Sequence, residues 1–276
     1  RFGRNGMRFQ TRPIAGIFFL LLLLMWTGQA VAQVTVLVPS APSLEKKASP
    51  QEVDMLMTLM KPFKNQAIAM DMPQMFASLR FENGAEQPER QDLLGDVEEI
   101  RYLGQKAWGA NIALEKAGLY QFIMESRPWW NEAKNHYLQQ VCKVVLPVLG
   151  QGEGWSVPAG LGFEIVPLTR PFGLYAPAIF SGRALLSGKP QVNIPVRMGR
   201  INIEKKSVPT PWHEELAART NQAGEFSFVV SQPGWWYCEA IIPGDPLKGP
   251  DGEMKPMEFG SILWLYVDGQ DNGRKK

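Results

Sequence analysis

A short pattern of glycine, alternating aromatic residues, proline and two adjacent tryptophans occurs twice in this chain of 276 residues. The first copy runs from Gly118 to Trp130 and the second from Gly224 to Trp236. In both copies the tryptophans lie eleven and twelve positions after the glycine, and the copies are 106 residues apart. That spacing suits one β-sandwich of roughly 100 residues per copy. The pattern predicts one structural unit used twice.

Runs of β-branched and aromatic residues between turn residues support an all-β chain. Strands are predicted in the first half at residues 34–38, 55–59, 77–81, 110–114, 120–124 and 137–146. In the second half they are predicted at residues 183–186, 192–196, 226–230, 235–240 and 262–267. The turn at residues 187–190 predicts a hairpin between 183–186 and 192–196. We therefore expect two immunoglobulin-like β-sandwich domains.

Two segments interrupt these strands. Residues 150–162 are dense in glycine, which weakens regular structure and indicates a connector. Residues 205–219 contain Pro209 and Pro211 and predict a long irregular excursion, with a helical turn at 214–219. Long loops on rigid sandwiches commonly carry binding. The predicted domains are residues 33–165 and 166–268, followed by a polar tail at 269–276.

The amino-terminal residues have the pattern of a secretory signal peptide. Four arginines precede the apolar residues 14–26, and the small residues Ala30, Val31 and Ala32 follow. We predict that residues 1–32 are a signal peptide cleaved before Gln33. The alternative is an uncleaved anchor, although thirteen apolar residues fall short of the roughly 20 that span a bilayer. The expected location is the periplasm or the extracellular space.

Charge limits the partners of the mature chain. Removing residues 1–32 takes away four arginines and no acids, which changes the net charge from +2 to −2. A nearly neutral chain with dispersed charges has no electrostatic surface for nucleic acid or anionic lipid. No second apolar segment follows, so we expect no membrane span after cleavage.

The two cysteines, Cys142 and Cys238, fall one in each predicted domain. An oxidising compartment would permit a disulfide between them. The alternative is two separate buried thiols, because each cysteine has hydrophobic neighbours in the sequence. Sequence leaves both alternatives open.

Several segments resemble a known family. Residues 153–155 and 164–174, which include Pro-Leu-Thr-Arg-Pro-Phe-Gly, are similar to the periplasmic accessory components of nickel and cobalt uptake systems. Residues 143–145, 70–72 and 234–236 are similar to short motifs at the corresponding positions of that family. The resemblance covers residues 33–268. It implies an exported, mostly β protein with a transthyretin-like carboxyl-terminal domain, similar to the regulatory module of carboxypeptidases.

The chain departs from the family where the resemblance implies metal ligands. The family carries histidine directly after signal cleavage, before the Pro-Phe of the second strand, and before the Lys-Val-Val strand. Those positions are Gln33, Lys61 and Gln140 here. Imidazole suits nickel and cobalt, whereas a glutamine amide is a poor ligand and lysine is protonated. The departures predict a damaged metal site.

Two histidines remain as candidate ligands. His136 could bind a metal ion with Glu132, or satisfy a local hydrogen bond. His213 lies in Trp-His-Glu-Glu, but the second histidine of a zinc-protease helix is missing, since residue 217 is alanine. We interpret His213 as a solvated loop residue.

Methionines and tryptophans provide further candidates. Six methionines lie between residues 55 and 75, and their thioethers would suit Cu⁺. Core packing is the alternative, because methionine commonly fills gaps. Among them Met70, Met72 and Met75, around Pro73, are the residues to test. The tryptophan pairs could stack on a sugar or a cation, but adjacent strand residues point to opposite faces, so one of each pair is expected in a core.

We predict an exported binding protein that is not an enzyme, similar to the accessory component of a nickel or cobalt importer. The predicted metal-site residues are Gln33, Met70, Met72, His136 and Gln140, with Ni, Co or Cu as the candidate ion. Expected partners are a membrane transporter or subunits of an envelope complex. The alternative is a structural or interaction subunit that no longer binds metal.

Overall fold

The described chain is built almost wholly of β-strands. The computed structural model describes residues 32–45, 51–82, 87–132 and 134–270. The first half contributes strands β1 (Val34–Pro39), β2 (Gln51–Lys61), β3 (Gln66–Ile68), β4 (Met75–Phe81), β5 (Glu89–Asp92), β6 (Glu98–Tyr102), β7 (Gln105–Leu114), β8 (Gly118–Glu125), β9 (Trp129–Asn131) and β10 (His136–Val148).

The second half has a similar composition of elements. Its strands are β11 (Phe163–Pro167), β12 (Leu174–Tyr175), β13 (Ala178–Leu186), β14 (Lys189–Pro190), β15 (Pro195–Arg200), β16 (Glu215–Arg219), β17 (Glu225–Val230), β18 (Gly234–Lys248) and β19 (Met254–Asp268). Short 3₁₀ turns occur at Leu94–Asp96 and Pro211–His213. The predicted all-β class is confirmed.

Two local predictions were wrong. The predicted strand at residues 183–186 is part of β13, which pairs with β11, β14 and β17. It does not pair with the predicted partner at residues 192–196, which overlaps β15 in a different sheet. The helical turn predicted at residues 214–219 is strand β16, which pairs with β15 from Pro195 opposite Arg219. Pairing with a neighbouring strand outweighs the local helical preference there.

The strands form three sheets. A ten-stranded sheet, called here the central sheet, has the order β16-β15-β18-β19-β10-β8-β4-β5, with β12 on β19 and β9 on β10. The first flanking sheet has the order β1-β2-β7-β6, with β3 on β2. The second flanking sheet contains β11, β13, β14 and β17.

The central sheet contains strands from both halves of the chain. Strand β10 pairs in parallel with β19, from Tyr137 opposite Met257 to Val144 opposite Trp264. The boundary predicted between residues 165 and 166 therefore falls within a single compact unit of the described chain. The division into domains 33–165 and 166–268 stays a prediction.

Alternating strand residues build separate cores on the two faces of the central sheet. In β19, Ile262 and Trp264 face the first core, which the first flanking sheet covers. Leu263 and Leu265 face the second core, which the second flanking sheet covers. A third cluster around Phe81 lies under the connector, with Trp155, Leu161 and Phe172 packed on it.

The same alternation separates the cysteines. Cys142 is buried in the first core and Cys238 in the second, so the thiols point to opposite faces of the central sheet. Both are free. Of the two alternatives, separate buried thiols is the correct one.

Buried polar groups hold the connector on the central sheet. The Lys143 ammonium is 3.0 Å from Glu164 Oε2, and both side chains are almost fully buried. Glu164 also accepts hydrogen bonds from the backbone N–H groups of Ala159 and Gly160. Burial lowers the pKa of the Lys143 ammonium, and the nearby Glu164 carboxylate opposes that shift. These contacts give the glycine-dense segment a defined course without strands.

The two copies of the glycine and tryptophan pattern are not one repeated unit. In the first copy β8 and β9 both belong to the central sheet. In the second copy β17 belongs to the second flanking sheet and β18 to the central sheet. The shared spacing reflects similar turns followed by different strand partners.

The predicted signal peptide lies outside the described residues, except for Ala32. Among the residues that the structure describes, no helix has the length and apolar character that a membrane crossing requires.

Candidate functional site

The three positions at which the resemblance implies metal ligands lie together at one end of the first flanking sheet. Strand β1 runs antiparallel to β2 with Val34 opposite Met60, which places Gln33 beside Lys61. The Gln140 Nε2 atom of β10 lies 3.3 Å from the Gln33 carbonyl oxygen. The sequence positions thus meet in space, although none of them is a histidine here.

Gln33 joins this end of the sheet to the first tryptophan pair. Its Oε1 atom accepts hydrogen bonds from Trp129 Nε1 at 3.3 Å and from Asn131 Nδ2 at 3.4 Å. Trp129 and Asn131 are the ends of β9. The side chain of Gln33 is therefore held between neighbouring strands.

Gln140 is completely buried, with 0% exposure. Its Oε1 atom accepts from the Thr35 backbone N–H at 2.7 Å and from Thr35 Oγ1 at 2.6 Å. Its Nε2 atom donates to the Gln33 carbonyl at 3.3 Å and to Glu239 Oε1 at 2.6 Å. An amide offers two acceptor sites and two hydrogens. Contacts within the protein use all of them.

The bond from Gln140 to Glu239 crosses a whole strand. Gln140 is on β10 and Glu239 on β18, with β19 between them. The β19 residue at the crossing is Gly260, where an added Cβ would lie 2.6 Å from Glu239 Oε1 and 3.0 Å from Gln140 Cγ. The missing side chain of Gly260 makes room for this hydrogen bond.

A buried polar chain continues from Glu239 toward the sheet edge. Arg197 Nε contacts Glu239 Oε2 at 2.5 Å, and Glu215 accepts from the Tyr237 hydroxyl at 2.5 Å. Burial alone would lower the pKa of the Arg197 guanidinium, but Glu239, Tyr237 and Glu215 together raise it. Burial raises the pKa of Glu215, against the opposing effect of Arg197. The Arg197 guanidinium is therefore balanced by the carboxylates of Glu239 and Glu215 within the protein.

A small cavity of about 120 Å³ is lined in part by residues that hydrogen-bond to Gln33 and Gln140. Its lining includes Thr35, Met70, Asp71, Ser126 and Trp129. The backbone of Met70 is fixed because its carbonyl accepts from Trp108 Nε1 at 3.0 Å. A space of this size holds a few water molecules or one small ion.

Met72 lies beside this cavity without lining it. Its carbonyl accepts a hydrogen bond from Arg127 Nε at 3.2 Å, and its side chain packs against the first core. The methionines Met55, Met57 and Met60 are buried in that same core. Core packing accounts for these methionines, and Met70 is the one that both packs there and faces a cavity.

His136 is not part of this group. It lies on β10 four residues before Gln140, roughly 13 Å along the strand. Its Nε2 atom is 3.3 Å from Glu258 Oε2, but the two groups are not aligned for a hydrogen bond. Burial lowers the pKa of His136, Glu258 opposes that shift, and Lys134 adds to it.

His213 belongs to the exposed 3₁₀ turn, where its Nδ1 atom is 2.9 Å from Thr210 Oγ1. Within the described ranges, no three side chains of histidine, cysteine, aspartate or glutamate are grouped as a metal site. The structure thus brings Gln33, Gln140 and Met70 to one place and leaves Met72 at its border and His136 apart. The predicted metal site stays a prediction.

Sequence reasoning missed Glu239, Arg197, Glu215 and the pair Lys143–Glu164. Glu164 is the single charge of β11, Lys143 lies within the apolar run 141–146 of β10, and Glu239 lies within the apolar run 235–242 of β18. Charged residues are almost never fully buried unless they are paired. A lone charge in an apolar strand was therefore the available signal for a buried partner.

Solved structures of low similarity come from immune receptors and bacterial surface proteins. A marsupial T cell receptor is 12% identical, with 87% of this chain and 74% of that chain covered and a TM-score of 0.20. The Yersinia pseudotuberculosis adhesin InvE is 10% identical, with 85% and 61% covered and a TM-score of 0.23. The D0-D1 domain of Intimin is 11% identical, with 85% and 100% covered and a TM-score of 0.21. Likenesses this distant carry no argument about function.

Sequence families give a firmer result. No curated protein matches the chain. A family model described as a domain of unknown function, DUF4198, matches residues 30–244, which is more than three quarters of the chain. The protein therefore belongs to the DUF4198 family.

Proposed function

We propose that this protein is an exported, non-catalytic binding protein of the cell envelope that acts on a protein partner and has lost the metal site of its relatives. It is similar in this view to the periplasmic accessory component of a nickel or cobalt importer. Its partners would be the membrane transporter or other subunits of an envelope complex.

The observation that carries the proposal is the state of Gln140. All its acceptor and donor positions are satisfied inside the protein, and the side chain has 0% exposure. A metal ion at this position would leave the Thr35 N–H and hydroxyl without partners, at a cost of about 1–3 kcal/mol per buried group. The ammonium of nearby Lys61 would also repel a cation.

The buried reactive groups support binding over catalysis. Burial raises the pKa of the Cys142 and Cys238 thiols well above the usual value, which keeps them protonated and unreactive. The buried charges of Glu239 and Glu164 are engaged by Arg197 and Lys143. These groups fulfil structural roles.

Calorimetric titration with Ni²⁺, Co²⁺ and Cu⁺ tests the proposal. The full chain is expressed with its leader and recovered from the periplasm, and mass spectrometry of its amino terminus tests cleavage before Gln33. The natural protein is expected to bind none of the three ions. The triple variant Gln33→His, Lys61→His and Gln140→His is expected to gain affinity for nickel or cobalt, because imidazole replaces two amides and an ammonium. Micromolar or tighter binding by the natural protein would contradict the proposal.

A second candidate function is Cu⁺ binding, which the cavity beside Met70 favours. In that case Met70→Leu would abolish Cu⁺ binding because it removes a soft thioether. The control Met57→Leu would leave binding unchanged, since Met57 is enclosed in the first core. Equal effects of the two variants would rule out the cavity as a copper site.

A further inference from the structure

A groove of about 420 Å³ lies between the turn after β2 and the loop that joins β15 to β16. Its lining includes Phe63 and Lys64 on one side and Lys205, Lys206, Val208 and Pro211 on the other. The loop between β15 and β16 includes most of the irregular segment at which binding was expected from the sequence. We call this groove the 205–214 groove.

One buried residue fixes the two walls of the groove relative to each other. Asn202 has 2% exposure and donates from its backbone N–H to the Pro62 carbonyl at 3.1 Å. Its Nδ2 atom donates to the Phe63 carbonyl at 3.1 Å and to the Lys206 carbonyl at 2.8 Å. Asn202 therefore links both walls. A preformed groove loses little conformational entropy on binding.

Large apolar side chains that face solvent lie close in sequence to the residues that line the groove. Trp212 is 73% exposed and Ile203 is 66% exposed. Leu216, at 41%, follows on β16. Tryptophan is enriched among the residues that dominate binding energy at protein interfaces.

The charge of the groove is positive. Lys205 and Lys206 have no carboxylate within 4.0 Å among the described residues. The nearby acids are already engaged, because Glu204 pairs with Arg200 and Glu214 with Lys64. On a mature chain of net charge −2, this is a local concentration of positive charge.

Backbone donors in the groove are also free. The N–H groups of Ser207 and Val208 donate to no group of the described chain, and these residues belong to no strand. They can donate to backbone carbonyls or carboxylates of an extended ligand. Peptide recognition commonly combines such main-chain bonds with pockets for side chains.

We propose that the 205–214 groove binds an acidic, extended segment of a partner protein. Its carboxylates contact Lys205 and Lys206, and an aromatic or aliphatic side chain packs against Ile203 and Trp212. The inference rests on the protein-partner role proposed above and gives that role a location and a partner chemistry.

Peptide selection tests this proposal. A random dodecapeptide library is selected on the immobilised full protein, and the affinity of each enriched peptide is measured by fluorescence anisotropy. Enriched peptides are expected to carry an excess of aspartate and glutamate together with an aromatic or aliphatic residue. Their affinity should fall as salt concentration rises, because rim charges are screened.

Matched variants locate the binding. The double variant Lys205→Glu and Lys206→Glu is expected to weaken binding about tenfold or more. The control double variant Lys189→Glu and Lys248→Glu has the same charge change at exposed positions elsewhere and should have little effect. Ile203→Ala should weaken binding several-fold. Ile179→Ala, at a similar 64% exposure on the second flanking sheet, should not.

Three results would overturn the inference. Enriched peptides without acidic residues would contradict the partner chemistry, and equal binding by the Lys205 and Lys206 variant would contradict the location. A natural dimer in analytical ultracentrifugation that Trp212→Ala converts to monomer would identify a second copy as the occupant. The second of these results, binding elsewhere on the protein, would end this inference and leave the proposed binding function standing.

Discussion

The two tryptophan pairs have the same spacing in sequence and different surroundings in the fold. Trp129 and Trp130 are both half-buried on the short strand β9, where Trp129 donates to Gln33 beside the small cavity. Trp236 is only 7% exposed in the second core, and its Nε1 atom donates to the Gln232 carbonyl at 2.9 Å. The second pair supports a core, and the first borders the candidate site.

One contact is common to both pairs. Trp130 lies opposite Tyr137 with ring centroids 5.1 Å apart, and Trp235 lies opposite Tyr266 at 5.3 Å. Both are edge-to-face contacts between neighbouring strands. The contact recurs at different positions of the pattern, because the second tryptophan makes it in the first copy and the first tryptophan makes it in the second copy.

The largest difference between the pairs should be in stability. Trp236→Ala is expected to lower the free energy of unfolding by about 3–5 kcal/mol, because it opens a cavity in a closed core. Trp129→Ala should cost about half as much, since that side chain is already half-exposed. Urea denaturation of both variants measures this, and equal losses would show that the two environments do not differ in packing.

The strand between the two regions gives a second test. Gly260→Ala places a methyl group against the Gln140–Glu239 hydrogen bond and should cost about 1–3 kcal/mol. Gly162→Ala is the control, because its added Cβ has no atom within 4 Å. Urea midpoints for the two variants check this expectation. If Gly260→Ala left the urea midpoint unchanged, the hydrogen bonds from Gln140 through Glu239 to Arg197 would have adjusted without a loss of stability.

The shared contact can be measured directly by double-mutant cycles. Trp130→Leu with Tyr137→Leu, and Trp235→Leu with Tyr266→Leu, should each give a coupling energy of about 0.5–1.5 kcal/mol. Similar couplings would confirm what the two copies have in common. A coupling in one copy only would limit the likeness to sequence.

The smallest expected effect is a pH dependence confined to the first pair. His136 lies opposite Asn131 of β9, and its pKa is lowered in the folded protein. The unfolded chain then takes up the proton first as the pH falls below about 6.5. Stability is therefore lost on acidification through that range. His136→Gln should flatten the difference between urea midpoints at about pH 7 and about pH 5, whereas His213→Gln should preserve it.

The sequence predicted the strands better than their partners. Alternation of apolar residues located β17, because a half-buried strand leaves a direct period-two pattern. A β-branched run located β1, which is buried on both faces. Sequence reasoning placed residues 192–196 in the wrong pairing and read β16 as a helical turn. Pairing partners depend on long-range geometry that a local pattern does not contain.

For the candidate site, the sequence predicted which positions come together but not the buried contacts that these residues make. The resemblance placed Gln33, Lys61 and Gln140 at equivalent ligand positions, and these lie at one end of the fold. The chain of Glu239, Arg197 and Glu215 was not predicted, because three strands from distant parts of the sequence supply it. His136 was included for its chemistry, and the strand places it roughly 13 Å from Gln140.

The parallel pairing of β10 with β19 also bears on how the protein is made. Residues 137 and 257 are neighbours in the sheet although 120 positions separate them along the chain. Contacts of such high order slow folding, since a long loop must close before the contact is gained. Synthesis must therefore reach β19 before β10 gains this partner, and until then that edge of β10 has no strand to pair with.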